Sequence, residues 1–331
     1  SIERGGTQTQ FFAKHLMKNA GKGVASMYDD PIRLVFPSDS LGNASKTGIA
    51  LVSAARYSSA WRKGQFNNGN DGTLYNMELL YSPTETSGEW KKSSPSSGTN
   101  RRYELTDLPL GKETYRWGFQ IRSNLKRDNY EPLINTAKSM GLGGSASVSE
   151  LENHIDVNQW ARTWAWLGLV GNDDVYTRIW EHNYRMFSRP SDNRLVALPW
   201  DLDRAFRLNA SDSLIGGNTL GAYLNQPTVK RLFLQHIQHL CQTSFTSSYA
   251  TPWASHFAAQ TGLDFSSYPG YISNRCNYAL TQLPAAVNFA ISSNSGNNFS
   301  VDDSTTVLEG DGWIDVASIE INGVLSDVHW V

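Results

Sequence analysis

The stretch from Gly171 to Phe206, GNDDVYTRIWEHNYRMFSRPSDNRLVALPWDLDRAF, decides how this chain is interpreted. Polar residues stand at three places in it: Asn172-Asp173-Asp174, Asn183, and Asp201-Leu202-Asp203, which follows an apolar strand over 195–198. Carboxylates at the end of a buried strand are costly to leave unpaired, and a hard cation would satisfy them. Mg²⁺ prefers one or two carboxylates together with water and phosphate oxygens. The stretch therefore predicts a divalent-cation site.

A structural alternative exists for Asp201 and Asp203. Aspartate is a favoured N-cap, because its carboxylate accepts a hydrogen bond from a free backbone N–H in the first helical turn. The two residues could therefore cap a helix that begins near Arg204. The Asp-x-Asp pattern alone does not decide between these interpretations.

Helical periodicity surrounds this stretch. The capping box Asp156-Val157-Asn158-Gln159 opens a helix that is apolar nearly all round, ends at Gly171 and is expected in the core. A second box, Asp128 to Glu131, opens another helix. Further helices are predicted over 8–19, 57–63, 228–242, 251–261 and 270–283. His236 and His239 could form a metal pair on one of them, but an ordinary polar helix face is favoured.

Short strands are predicted on either side of the helical part. Those before it lie at 32–36, 47–55, 73–81 and 117–121. After Pro284 the sequence alternates at 299–301, 306–308, 313–316 and 319–321, which predicts a run of β-strands. This change of periodicity divides the chain into a β-rich part, 1–127, a helical part, 128–287, and a short β module, 288–331.

Composition excludes several classes of protein. The chain has 331 residues, of which 40% are hydrophobic and 18% charged, so it is not a disordered chain. Its net charge of −2 lacks the basic excess of nucleic-acid-binding proteins, so no nucleic-acid partner is expected. No apolar run approaches the roughly 20 residues that span a bilayer. A surface rich in Ser, Thr, Asn and Gly predicts a secreted or cell-surface location.

Two cysteines, Cys241 and Cys276, are too few for a disulfide scaffold or a cysteine-only zinc site. A single bridge and two buried free thiols are both compatible with the sequence. Both residues lie on predicted helices of the same subdomain, and we predict that they pair.

The motifs resemble those of the CotH family of spore-coat protein kinases. Pro199-Trp200-Asp201-Leu202-Asp203 is similar to the family's P-W-D-x-D strand end, and Asn183-Tyr184 to its N-Y segment. Gly171 to Thr177 resembles the G-x-x-D-x-Y segment, and Gly69 to Pro83 resembles the G-x-L-(F/Y) strand. The similarity extends from about Gln8 to Leu283, as in secreted members that are joined to other β modules.

This resemblance implies an α+β, atypical protein-kinase-like fold with a small β-rich lobe and a larger helical lobe, followed here by a β-sandwich-like module. It also implies ATP with Mg²⁺ or Mn²⁺. By position, Asp201 would hold the metal that bridges the nucleotide phosphates, and Asn183 would hold a second metal. Asp174 would orient the attacking hydroxyl or accept its proton. Asp203 is a further candidate metal ligand.

The chain departs from kinase patterns at three places. Asp174 and Asn183 are nine residues apart, against five for the corresponding pair in ordinary kinases. Ala55 stands where many relatives have Glu, and Asn76 stands where a Lys often follows L-(F/Y). Substitutes for the phosphate-binding pair could come from five other charged residues: Arg56, Lys63, Glu78, Lys112 and Arg116.

Three functions follow from these observations. The leading hypothesis is a secreted, CotH-like protein kinase that transfers phosphate from ATP to a hydroxyl of a protein substrate. The first alternative, favoured by Ala55 and Asn76, is an inactive structural or adhesion domain that binds partners in an extracellular assembly. The second is a metal-dependent glycosyltransferase whose Asp-x-Asp motif holds a nucleotide sugar. That alternative needs an N-terminal nucleotide-binding α/β unit, and no alternating strand–helix pattern precedes Asp201.

Overall fold

A computed structural model describes most of the chain. The described residues are 2–3, 7–21, 23–27, 29–34, 48–52, 56–77, 80–81, 84–86, 89–91, 100–101, 104–105, 111–141, 148–178, 182–216, 219–326 and 328–330. Ten α-helices lie within them: α1 (Thr7–Asn19), α2 (Ser59–Gln65), α3 (Lys112–Gly118), α4 (Glu131–Gly141), α5 (Val148–Glu152), α6 (Val157–Val170), α7 (Thr219–Leu224), α8 (Pro227–Thr243), α9 (Ser247–Thr261) and α10 (Ser267–Leu280).

The strands are short and pair antiparallel. In chain order they are β1 (Ile2–Glu3), β2 (Asp30–Leu34), β3 (Gly48–Val52), β4 (Leu74–Met77), β5 (Leu80–Tyr81), β6 (Thr84–Thr86), β7 (Glu89–Lys91), β8 (Asn100–Arg101), β9 (Phe119–Ile121), β10 (Tyr184–Ser188), β11 (Leu195–Pro199), β12 (Ala290–Ile291), β13 (Gly310–Asp311), β14 (Ile319–Ile321) and β15 (Val324–Ser326). The chain is therefore a mixed α/β protein with small antiparallel sheets.

A four-stranded sheet in the order β11-β10-β4-β9 carries the candidate site at one end. Because side chains alternate across a strand, its two faces enter different clusters. One face joins the main core around α6 through Tyr75, Tyr184, Met186 and Ala197. The other joins a smaller cluster with Met27 and Tyr57 through Leu74, Phe187, Val196 and Leu198. The remaining described strands form a three-stranded sheet, β1-β3-β2, and four two-stranded ladders.

Helix α6 lies at the centre of the molecule, as its apolar sequence predicts. Asp156 caps it by accepting from the Gln159 backbone N–H at 3.1 Å, and Gly171 ends it in the left-handed conformation at φ +61°. The Gln159 side chain pairs instead with Ala197, accepting from its N–H at 2.8 Å and donating to its carbonyl at 2.9 Å. Since β11 is the edge strand, this contact satisfies backbone groups that lack a neighbouring strand.

The second predicted capping box is wrong. Asp128 lies in the left-handed conformation after a 3₁₀ turn and pairs with Lys112 and Arg116. Asn129 takes the capping role, since its side-chain oxygen accepts from the Glu131 N–H at 3.0 Å. Asp128 therefore pairs with two cations of α3 instead of accepting a hydrogen bond from the helix.

The sequence also misassigned several strands. Segments 299–301, 306–308 and 313–316 are not strands, while 319–321 is one. Alternating apolar residues form a strand only where a partner strand and a core are present, and Val307, for example, is 81% exposed. Residues 112–118, which include part of the strand predicted at 117–121, are helical.

Cys241 of α8 and Cys276 of α10 form a disulfide, which confirms the predicted pairing. The bridge joins two helices that both pack against α6. It therefore fixes part of the helical region that surrounds the candidate site.

Candidate functional site

The polar residues predicted from the sequence meet at one end of the four-stranded sheet. Asn183 immediately precedes β10, and Asp201 lies two residues after the end of β11. Both adopt the left-handed conformation, with φ +54° and +53°. The Trp200 N–H donates to the Asn183 carbonyl at 3.3 Å, so the hairpin places Asn183 beside Trp200, the residue before Asp201. Left-handed non-glycine residues are strained, and such strain clusters at functional sites.

Asp174 is held beside Asn183 by several hydrogen bonds. The Asn183 amide nitrogen lies 2.8 Å from the Asp174 carbonyl oxygen and 3.3 Å from its carboxylate oxygen Oδ2. His182 Nε2 lies 3.2 Å from the other carboxylate oxygen. The carboxylate is only partly buried, with 25% of the side chain exposed, so it is oriented yet open to solvent.

Asn172 joins Asp174 to Asp201. Its side chain is 1% exposed; its oxygen accepts from the Asp174 N–H at 2.8 Å and its nitrogen donates to the Asp201 carbonyl at 3.4 Å. The motif analysis gave Asn172 no separate role. The signal in the sequence was its position directly after Gly171, where the chain leaves α6 toward the site.

Arg204, the residue after Asp203, is a cation bound to a nearby aspartate. Arg204 forms two hydrogen bonds with Asp173, at 2.8 and 2.7 Å, and this contact raises the pKa of Arg204, with smaller contributions from Asp174 and Asp203. In the described residues no helix begins near Arg204, and 203–206 form turns. The helix-capping alternative for Asp201 and Asp203 is therefore wrong.

The available ligand atoms fit a hard cation bound together with phosphates. Because Asn183 uses its amide nitrogen for Asp174, its side-chain oxygen is the atom suited to a metal. Asp201 adds a carboxylate, and oxygen atoms of this kind are what Mg²⁺ and Mn²⁺ take. Among the residues that the structure describes, no group of three or more His, Cys, Asp or Glu side chains could hold a metal ion alone. Phosphate and water would have to complete the coordination.

Arg185 lies beside Asn76, at the position where the motif resemblance implies a Lys. Its Nε donates to the Asn76 side-chain oxygen at 2.6 Å, and its guanidinium lies 3.4 Å from the centre of the Trp200 ring. The two residues face each other across β10 and β4. The sequence motifs do not indicate Arg185, because only strand register brings together positions that are 109 residues apart.

Four of the five other charged residues considered as substitutes lie within the described residues, at or near α2 and on α3. Lys63 is exposed on α2, and Arg56 is exposed shortly before that helix. Lys112 and Arg116 pair with Asp128. Ala55 and Glu78 lie outside the described residues. Arg185 is therefore a cation in contact with Asn76 that the sequence motifs do not indicate.

A cavity of about 790 Å³ lies beside β11, between α2, the first turns of α6 and residues 21–26. None of Asp174, Asn183 and Asp201 lines it. Two of its three cations, Arg162 and Arg189, already bind other groups, namely the Ala20 carbonyl and the carboxylates of Asp156 and Asp192. We therefore assign it no part in the candidate site.

A model of the CotH kinase protein family matches residues 56–268, more than half of the chain. The chain belongs to the CotH kinase family. The match includes Asp174, Asn183, Asp201 and Asp203, and it excludes α1 and the C-terminal β-strands. No curated protein matches the CotH-family chain. Among its described helices, none has the length and apolar character needed to cross a membrane.

His236, one of the two histidines considered for metal binding, has structural partners. His236 Nε2 lies 2.7 Å from the Asn158 side-chain oxygen, and Nδ1 lies 3.3 Å from an Arg162 guanidinium nitrogen. Burial, followed by the charge of Arg162, lowers the pKa of His236 to about 4. The imidazole is therefore neutral at pH 7 and belongs to a buried hydrogen-bond network.

Proposed function

We propose that this CotH-family chain transfers a phosphoryl group from ATP to a hydroxyl of a protein substrate in the presence of Mg²⁺ or Mn²⁺. One observation carries the proposal: Asp174, Asn183 and Asp201 form a single cluster in which the buried Asn172 links the two aspartates. The family match supports a kinase-like activity. A two-lobed kinase-like fold, with lobes near 1–127 and 128–287 and a β module after them, belongs to the same proposal.

Each residue of the cluster has a distinct proposed task. Asp201 would hold one cation and Asn183 a second, with Asp203 as a further ligand, and the bound metals would neutralise charge on the phosphates. Asp174 would accept the proton of the attacking hydroxyl as its oxygen bonds to the γ-phosphorus and the bond to the ADP oxygen breaks. His182 and Asn183 hold the Asp174 carboxylate in a fixed orientation for this transfer.

We also propose that the protein acts outside the cell. The disulfide between Cys241 and Cys276 supports this, because structural disulfides persist mainly in oxidising compartments. A protein substrate or an assembly partner would then be extracellular. The net charge of −2 offers no general attraction to nucleic acid.

The test compares two aspartate substitutions in the full chain. Asp201→Ala should abolish the rise in melting temperature caused by Mn²⁺ with ATP, since ligand binding stabilises the native state. Asp174→Asn should retain that rise but lower phosphate transfer to dephosphorylated casein by about 10²–10⁴-fold. Asp303→Asn is the control, because Asp303 is exposed and lies in the C-terminal segment outside the family match.

An inactive structural domain is a second candidate, favoured by the Asn76 side chain that binds Arg185 in place of a lysine. It predicts no transfer by the wild type and no effect of Asp174→Asn. The glycosyltransferase alternative predicts stabilisation by UDP-glucose or GDP-mannose instead of ATP. A wild type that no nucleotide stabilises in either metal would contradict the kinase proposal.

A further inference from the structure

A buried ion pair lies near the candidate site, on residues outside the range that the family model matches. Lys14 of α1 contacts Asp29 at 2.9 Å, and their side chains are 2% and 4% exposed. A buried ion pair is often no more stable than apolar residues of the same size. Stability alone therefore does not account for two charges at these positions.

Gln10, one helical turn before Lys14, connects this pair to Asp201. Its side chain is 4% exposed. When the amide oxygen faces Lys14, it accepts from the ammonium group at 2.7 Å, and the amide nitrogen donates to Asp201 Oδ1 at 3.3 Å. The opposite orientation would place the amide nitrogen against the ammonium group, so the hydrogen-bond pattern fixes which way the amide points.

Helix α1 is firmly attached to the helical region, so these groups have a fixed position relative to Asp201. The Phe11 ring lies 4.6 Å from the Phe257 ring, and Phe12 stacks on Tyr268 at 5.1 Å. The Thr9 hydroxyl lies 2.9 Å from the Tyr268 hydroxyl. Aromatic contacts of this kind add to the area buried and hold the helix in one orientation.

We propose that Asp29, Lys14 and Gln10 form a relay that orients the Asp201 carboxylate for a divalent cation. Asp29 fixes the Lys14 ammonium group, Lys14 polarises and orients the Gln10 amide, and the Gln10 N–H holds one oxygen of Asp201. The three are positioning residues, in the manner of groups that orient metal ligands in other proteins. The inference rests on the proposed function, because it takes Asp201 as a metal ligand.

The experiment measures Mn²⁺ binding to the full chain from the EPR signal of free Mn²⁺, both without and with ATP. Gln10→Met should weaken Mn²⁺ binding by about tenfold or more, as loss of an orienting group does elsewhere. The double variant Lys14→Met with Asp29→Leu should weaken Mn²⁺ binding by a similar factor. Because both charges are removed, neither is left buried without its partner. Lys18→Met is the control, because Lys18 lies exposed on the same helix.

A relay has a signature that a merely structural role lacks. If the three residues act through one another, the triple variant should lose no more affinity than Gln10→Met alone, because coupled residues are not additive. Losses that multiply to about 100-fold would overturn the relay. Melting temperatures measured without metal show whether each variant is folded. If the variant with Lys14→Met and Asp29→Leu does not fold, Gln10→Met, which keeps the ion pair, provides the test.

The outcomes separate this inference from the proposed function. If Gln10→Met binds Mn²⁺ as tightly as the wild type while Asp201→Ala loses binding, the relay is wrong and the kinase proposal stands. If the wild type binds Mn²⁺ but not ATP, the kinase proposal fails, and Mn²⁺ alone still decides the relay. A wild type that binds no Mn²⁺ overturns both.

Discussion

The side-chain amide of Asn183 donates to the backbone carbonyl of Asp174 at 2.8 Å and to its carboxylate at 3.3 Å, across nine residues of sequence. The catalytic-loop Asp and Asn of ordinary kinases are five residues apart. His182, within the longer segment, contacts the same carboxylate at 3.2 Å. The additional residues therefore do not separate Asp174 from Asn183, and the unusual spacing leaves the two side chains in contact.

Replacing Asn183 tests this contact. Asn183→Ala should lower phosphate transfer by about 10²-fold or more, because displacing a catalytic group by about 1 Å can cost that much. The matched control is Asn193→Ala in the exposed turn after β10, since Asn193 has a similar φ of +59°. Both variants should lose about 1–2 kcal/mol of stability from the left-handed backbone. Equal transfer rates for the two variants would show that Asn183 has only a conformational role.

Introducing at position 76 the lysine that the motif resemblance implies should destabilise this chain. Asn76→Lys removes the oxygen that accepts from Arg185 and places a second cation beside it, at a residue that is only 6% exposed. A buried donor left unsatisfied costs about 1–3 kcal/mol, so the urea midpoint should fall accordingly. Adding Arg185→Met should restore part of the loss. A variant as stable as the wild type would mean that Arg185 moves away at little cost.

Removing the disulfide should lower the free energy of unfolding by about 3–4 kcal/mol, the value expected for a loop of this length. Cys241 and Cys276 are 35 residues apart in sequence. Urea unfolding of the double Cys→Ala variant measures the loss. Mass spectrometry of the native wild type after alkylation provides the control. Two alkylated thiols without prior reduction would contradict the bridge.

Stability should fall as the pH drops from about 6.5 toward 4, partly because of His236. Burial, and then Arg162 and His239, lower its pKa to about 4, while Asn158 opposes them. The unfolded state therefore binds more protons in this range, and stability rises with pH by at most about 1.4 kcal/mol per unit for this group. Urea unfolding at several pH values should show a smaller slope for His236→Gln. An unchanged slope would assign the dependence to other groups.

A chain that ends at Pro284 should bind Mn²⁺ with ATP but unfold more easily than the full chain. The later residues contact α8: Arg231 donates to the Trp313 carbonyl at 2.7 Å, and its guanidinium lies 3.6 Å from the centre of the Trp330 ring. Ile314 is 4% exposed, and loss of one such side chain from the core costs about 1.5–3 kcal/mol. Thermal unfolding and Mn²⁺ titration together test both parts. A folded but non-binding shortened chain would place the C-terminal segment in the site.

Much of the helical region follows from local sequence. Three local features predict α6: the apolar run after Asp156, the N-cap that Asp156 forms, and the C-cap glycine Gly171. Each of them depends only on residues that are neighbours in the sequence. The candidate residues Asp174, Asn183 and Asp201 also follow from their motifs. Capping by Asp128 was wrong, since the carboxylate found cations from another helix that local sequence does not place nearby.

What the sequence by itself determined is therefore most of the described helices and the chemical types at the site. Only the tertiary structure brings Arg185 to Asn76, Asn172 to Asp201, and Gln10 with Lys14 to Asp201. These contacts join positions far apart in the chain, and they depend on strand register and on where α1 packs. Local periodicity specifies neither the strand register nor the packing of α1. Both depend on which apolar faces bury each other when the whole chain folds.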